Sequence, residues 1–244
     1  MTKGFFVTGT DTGVGKTIIT AALVKAAHLL GFKACGMKPI ETGCRTAVSS
    51  QSAAGSKEKT LIPSDGMFLR DIAGSDESLD LIAPVRFEKP LAPLPASEIE
   101  GIPLDLEKIK NAFLDLAEKY DAVVVEGIGG LLVPILRDYF VLDLAREFGL
   151  PLIVVARPGL GTINHTLLTV NYAKKEGLDV AGIIINYARP PDGVPAEATN
   201  PDIIKQISPV PIMGVFPYLK DLKSTTIEKA AAKNLDIGII KKYL

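Results

Sequence analysis

The sequence predicts an α/β fold with a parallel sheet covered on both faces, and three features carry that prediction. Short uncharged apolar runs alternate with longer amphipathic ones, the rhythm of βα units rather than of a sandwich or a bundle. Several amphipathic runs close on a glycine, at Gly31, Gly149 and Gly177, where a left-handed helix cap is expected. A glycine-rich segment separates the first apolar run from the first amphipathic one.

Taken in order, strands are expected over residues 4–8, 33–38, 121–126, 151–156, 180–186 and 210–216, with uncharged centres as burial on two faces demands. Helices are expected over 17–30, 105–120, 141–148 and 162–175, as the crossovers that parallel strands require. Residues 44–65, rich in Ser, Ala, Gly and Lys without a clear period, read as a surface loop. Residues 84–103 contain Pro84, Pro90, Pro93, Pro95 and Pro103, too many missing donors for a central strand or a helix interior, and are expected to run extended over the surface. The closing stretch 224–244 mixes charges with alanines and is expected to pack on the domain rather than enter lipid. No composition shift or fixed-period repeat divides the chain, so residues 1–244 read as one domain.

Composition narrows the function classes. The 244 residues are 47% hydrophobic and 23% charged, enough for a full core without metals or disulfides. With 27 basic against 28 acidic side chains there is no cationic excess to neutralise a phosphate backbone, which argues against nucleic acid as a partner. Cys35 and Cys44 match neither a zinc knuckle nor a redox pair and read as reduced thiols. No uncharged apolar stretch approaches the ~18–20 residues of a bilayer crossing. A cytoplasmic protein without a membrane anchor is the expectation.

The sharpest motif is Gly9-Thr10-Asp11-Thr12-Gly13-Val14-Gly15-Lys16-Thr17, between a strand and a helix. Glycines there let successive N–H groups converge on phosphate oxygens, and the helix adds its positive end. Lys16 is expected against the outer phosphates and the Thr17 hydroxyl on Mg²⁺. The usual pattern has glycine where Thr10 stands, with Gly9 one residue too early, so the loop is a variant.

Such a metal needs a carboxylate facing Thr17, normally at the carboxyl end of a neighbouring strand. Glu126 in Val125-Glu126-Gly127-Ile128-Gly129-Gly130 has that setting, although by itself a Glu after a strand reads equally as a solvated turn residue. Asn186 also ends an apolar run. Two readings fit it, an amide facing a nucleobase edge or an ordinary strand-terminating residue. The sequence Asn186-Tyr187-Ala188-Arg189 lacks the Asn-Lys-x-Asp run of guanine-specific GTPases, which favours ATP.

With Met37-Lys38-Pro39 and Leu160-Gly161-Thr162-Ile163-Asn164-His165 added to these motifs, the chain resembles the dethiobiotin synthetase family, in the same order across residues 5 to 219. The resemblance implies a doubly wound P-loop ATPase fold, a homodimer, and ATP with Mg²⁺. It also implies closure of a cyclic urea on 7,8-diaminononanoate with carbon dioxide, releasing ADP and phosphate. The family pattern assigns Gly13, Val14, Gly15, Lys16, Thr17 and Ile18 to the triphosphate, and Thr17, Asp65 and Glu126 to the metal. Lys38 with Lys16 becomes catalytic. Thr12 and Thr42 face the diamine or its carbamate, while Gly161, Thr162, Ile163 and Asn164 hold the substrate carboxylate at a helix N-terminus near the dimer interface. Gly127, Ile128, Gly129, Asn186, Pro217 and Tyr218 fall to the nucleotide. His28 reads as structural, and His165 receives no chemical role.

Two positions depart from some relatives: Gly13 replaces an acidic residue, and no tyrosine stands near Ala198 to close over the carboxylate. A competing class is the partitioning or septum-positioning switch ATPase, which binds a protein, DNA or membrane partner. Those proteins carry an extra lysine early in the loop, where this chain reads Thr10-Asp11-Thr12.

Overall fold

The computed structural model describes residues 2–48 and 59–244. Strand β1 (Lys3–Gly9) leads through α1 (Lys16–Leu29) to β2 (Ala34–Met37). An excursion follows, made of β3 (Ile40–Glu41), β4 (Arg45–Val48), β5 (Lys59–Ile62), α2 (Ser64–Ala73), α3 (Leu79–Ile82), β6 (Val85–Arg86) and α4 (Pro93–Glu100). Helix α5 (Leu106–Lys119) then returns the chain to β7 (Ala122–Glu126). After β8 (Pro134–Leu136), β9 (Tyr139–Phe140) and α6 (Val141–Phe148) comes β10 (Leu152–Ala156), then α7 (Thr162–Lys175), β11 (Val180–Asn186) and α8 (Pro195–Ile207). The chain finishes with β12 (Ile212–Phe216), α9 (Ser224–Asn234) and α10 (Ile237–Lys242).

Six strands form one parallel sheet in the order β12-β11-β10-β1-β7-β2. The chain leaves β1 toward β2 and later crosses to β10, so the order reverses at β1. In a doubly wound sheet that reversal opens a crevice at the carboxyl ends of the strands. Alternate residues of each strand feed opposite faces. Phe6, Val123, Val125, Val154 and Ile183 belong to one buried core, while Phe5, Val7, Val124, Ile153 and Ile184 belong to the other. Helix α1 packs on β7 and α9, and its buried Ala21, Ala22, Ala26 and Ala27 allow that close approach. Its C-terminal His28 has ring Nε2 at 2.9 Å from the Ala34 carbonyl oxygen, a structural bond that ties the helix to β2.

The expected strands and helices are present, three with the expected ends and the others shifted by one or two residues, and α9 packs against α1 as expected of the closing stretch. Both cysteine thiols are free and buried. Among the described residues no helix is long and apolar enough to cross a membrane.

Two expectations need correction. The stretch 44–65 is not simply a loop. β4 and β5 pair antiparallel, with Arg45 opposite Ile62 and Thr46 opposite Leu61, and α2 starts at Ser64. Four-residue arms at an edge carry too little period-2 pattern to be read alone. The expected loop's centre, residues 49–58, lies outside the described residues. The stretch 84–103 is extended only in part, because 93–100 is helix α4. Its prolines, Pro93 and Pro95, occupy the first turn, where N–H groups have no intrahelical acceptor to lose.

Candidate active site

The loop after β1 carries two glycines in left-handed conformations, Gly13 at φ 75° and Gly15 at φ 85°. Gly15 is the N-cap of α1, and a Cβ there would run into the side-chain amide of Asn186. That amide donates a 2.8 Å hydrogen bond to the Val14 carbonyl. Asn186 is thus spent on holding the loop, from the end of a strand two places along the sheet. Lys16, 7% exposed, sends its Nζ back across the loop to 3.4 Å from the Asp11 carbonyl.

Beside the loop, three side chains from distant parts of the chain converge. Lys38, just after β2, donates to Glu126 Oε1 at 2.5 Å and lies 3.1 Å from Asp65 Oδ2. Thr17 donates its hydroxyl hydrogen to the same Glu126 oxygen at 3.0 Å. Glu126 ends β7, next to β1 in the sheet, so parallel pairing alone delivers it to the foot of α1. Burial disfavours the charge on Lys38, but Glu126 and Asp65 outweigh it and hold the ammonium above its ordinary pKa. Lys16 goes the other way. Burial first and the Lys38 charge second pull it down to about 8. An anion beside Lys16 would oppose both effects and favour its charged form.

A cavity of about 420 Å³ is lined by most of the residues singled out from the sequence: Thr12, Gly13, Gly15, Lys16, Thr17, Ile18, Lys38, Thr42, Asp65, Glu126, Ile128 and Gly129. Glu41 lines it as well and was not anticipated. A second cavity of about 310 Å³ adjoins the other flank of the loop, where Val14 and Asn186 meet the segments after β10 and β11. Two unanticipated side chains shape it. Asn200 donates to the Pro158 and Gly159 carbonyls at 2.8 and 3.0 Å, and Glu197 accepts from the Asp192 and Gly193 N–H groups at 3.3 and 3.1 Å. Both sit in α8, which carries no recognisable motif. A wider depression of about 580 Å³ lies near Lys3 and Asp121, at the amino ends of the strands and away from the crevice.

The remaining singled-out residues line neither cavity. Gly127 packs against the Phe6 ring, where a Cβ would come within 2.9 Å. Gly161 caps α7 at φ 89°, followed by Thr162, Ile163 and Asn164 in its first turn, with Gly159 and Leu160 reaching the second cavity. Pro217 and Tyr218 follow β12, whose Phe216 pairs with Asn186, and so stand at the same edge of the sheet.

The donor set fits a divalent ion held together with phosphates. Glu126 Oε2 is buried and has no hydrogen-bond partner among the described residues, while Oε1 of the same carboxylate takes the Thr17 hydroxyl. Among the described residues no cluster of three or more His, Cys, Asp or Glu makes an all-protein cage. Mg²⁺ suits such a site, since it commonly binds through one or two carboxylates plus substrate phosphates and water.

The reversed parallel sheet, the strand–loop–helix ending in Lys16 and Thr17, and the acid on the adjacent strand define a P-loop nucleotide-binding protein of the doubly wound class. The ATP-dependent dethiobiotin synthetase BioD of Thermodesulfovibrio yellowstonii is 48% identical to this chain, covering 97% of it and 98% of that protein. The namesake from Bacillus licheniformis is 39% identical, covering 99% of this chain and 97% of its own. The chain belongs to the dethiobiotin synthetase family. A family model described as "AAA domain" matches residues 3–226. A ParA family ATPase from Chlorobium tepidum TLS shares the fold, with a TM-score of 0.52 at 16% identity over 98% of this chain and 97% of that one.

Proposed function

We propose that this chain is an ATP-dependent cyclo-ligase that makes dethiobiotin from 7,8-diaminononanoate and carbon dioxide. One amine of the substrate captures carbon dioxide as a carbamate, and a carbamate oxygen takes the γ-phosphoryl group of ATP. The second amine then attacks the carbonyl carbon of the carbamic–phosphoric anhydride, phosphate leaves, and the urea ring closes. No protein nucleophile is required. The protein supplies alignment and positive charge where negative charge spreads over the transferring oxygens.

The observation that carries this reading is the Lys38 ammonium bridging Glu126 and Asp65 inside the cavity that Lys16 and Thr17 line. In the proposed roles the N–H groups of residues 13–18 cradle the phosphates, with Lys16 against the outer ones. Thr17, Asp65 and Glu126 hold Mg²⁺, which when bound neutralises phosphate charge. Lys38 swings from its carboxylates to the transferring group, and Thr42 orients the diamine. Asn186, by bracing Val14, keeps the loop open beside the base, and Pro217 and Tyr218 close that end. Ile128 and Gly129 border the phosphate side, with Gly127 as a packing glycine behind them. Thr12 lies between the two cavities, toward the diamine.

The first turn of α7, residues 161–164, is assigned to the substrate carboxylate by the N–H groups of Gly161, Ile163 and Asn164, which have no acceptor among the described residues, while that of Thr162 donates to the Gly159 carbonyl at 3.2 Å. The proposed assembly is a homodimer meeting at this end. Leu160, 85% exposed, and Leu168, 61% exposed, are the apolar side chains there that support it. One domain comprising residues 1–244, in the cytoplasm, completes the proposal.

The test is mass-spectrometric detection of the cyclic urea from diamine, bicarbonate and ATP, with phosphate release depending on all three. Turnover stimulated by DNA or lipid and indifferent to the diamine would replace this reading with that of a switch ATPase. A second expectation concerns the loop. Gly15→Ala must place a non-glycine residue in the left-handed region, at a cost of about 1–2 kcal/mol, and push the Asn186 amide off Val14. ATP affinity measured by calorimetry is expected to fall roughly tenfold or more, while the circular dichroism of the sheet stays unchanged.

A further inference from the structure

Helix α2 begins without a cap of its own. Pro63, at the cap position, has no side-chain acceptor, so the N–H groups of Asp65 and Gly66 need one from elsewhere. Glu41, on β3 and 4% exposed, provides it: Oε1 accepts from Asp65 at 3.0 Å and Oε2 from Gly66 at 2.9 Å. A carboxylate at a helix N-terminus is also favoured by the helix dipole. The fit is close. A Cβ on Gly66 would lie 2.9 Å from the Ala83 Cβ and 3.6 Å from Glu41 Oε2, so the helix end is seated directly on the carboxylate. The main chain of Glu41 is fixed in turn, its carbonyl accepting from the Phe87 N–H at 2.9 Å.

This bridge links the segment that carries Lys38 and Thr42 to the helix that carries Asp65, across a sequence gap that includes the stretch 49–58. Lys38 is also tied by its own N–H, which donates to the Ile82 carbonyl at 2.7 Å, whereas the Asp65 side chain, 40% exposed, is held at 3.1 Å from Lys38 by where α2 begins. We propose that Glu41 is a positioning residue that sets the Asp65 carboxylate for the metal, acting through the two N–H groups at the start of α2. The inference rests on the assignment of Asp65 to Mg²⁺ made above.

The test is a cycle of Glu41→Ala, Glu41→Gln and Asp65→Ala with the double variant Glu41→Ala/Asp65→Ala. Mn²⁺ binding to the ADP complex is followed by electron paramagnetic resonance, alongside thermal stability. Asp65→Ala is expected to weaken Mn²⁺ binding, and Glu41→Ala to weaken it about tenfold or more, as loss of an outer partner of a metal ligand typically does. Glu41→Gln keeps the shape but turns an amide NH₂ toward one N–H, and is expected to fall between wild type and Glu41→Ala; it carries the test should the alanine variant fail to fold. In the double variant Mn²⁺ binding should match Asp65→Ala within about twofold, because Glu41 has nothing left to position. An additive further loss in the double variant overturns the proposal, since Glu41 would then act directly or only through the fold. Unchanged Mn²⁺ binding in the Glu41 variants, with Asp65→Ala impaired, overturns it alone. Unchanged binding in Asp65→Ala overturns the metal assignment of Asp65 and the proposal with it.

Discussion

Lys38→Ala is expected to lower turnover by about 10²–10³-fold, the range found when one donor to developing transition-state charge is removed, while ATP affinity moves less than about threefold. The geometry separates the two quantities. Lys38 rests on Glu126 and Asp65, not on the phosphate loop, whereas Lys16 turns back over the loop itself. An interaction made only as charge spreads over the transferring oxygens contributes to kcat and little to ground-state binding. Single-turnover phosphate release and calorimetric ATP titration measure the two sides. An equal loss in ATP affinity would move Lys38 into the cradle and leave the transferring group without its proposed stabiliser.

The second large effect is on stability. Lys38→Met leaves Glu126, 1% exposed, with the Thr17 hydroxyl as its remaining partner and one oxygen already unpaired among the described residues. Removing one member of a buried ion pair typically costs about 3–5 kcal/mol, because the other charge stays buried without compensation. Lys38→Met/Glu126→Gln removes both charges, so the double variant is expected to recover about 2 kcal/mol or more relative to the sum of the single losses. Urea unfolding of the nucleotide-free protein reads this directly. Simple additivity would mean that the bond between Lys38 and Glu126 does not hold the site together. The double variant stays inactive, since the site has traded its chemistry for an apolar-like core.

Much of the site's content was readable along the chain. The loop from Gly9 to Thr17 declares itself because its residues are contiguous and their spacing is set by phosphate geometry. Glu126 could be paired with it only because a buried strand, Ala122–Glu126, delivers its last residue to the crevice. Asp65 came from family pattern alone, and the structure brings it to Lys38. Glu41 left no signal: in the sequence it looks like any acid soon after an apolar run, and its task emerges only when α2 is laid against it. Asn200 and Glu197 were invisible for the same reason, being helix residues whose partners are loop carbonyls and N–H groups about 40 and 5 residues away.

The amino-acid sequence by itself determined the alternation of strand and helix, the phosphate loop, and the two-faced burial of the strands. Those depend on residue period and on contacts between near neighbours, which the order of side chains encodes directly. Strand order, the helix hidden among the prolines of 84–103, and the meeting of Lys38, Asp65 and Glu126 were decided by the tertiary structure. Each depends on surfaces that pack across large separations in the chain, where many sequences satisfy the same local rules and only the buried contacts select one arrangement.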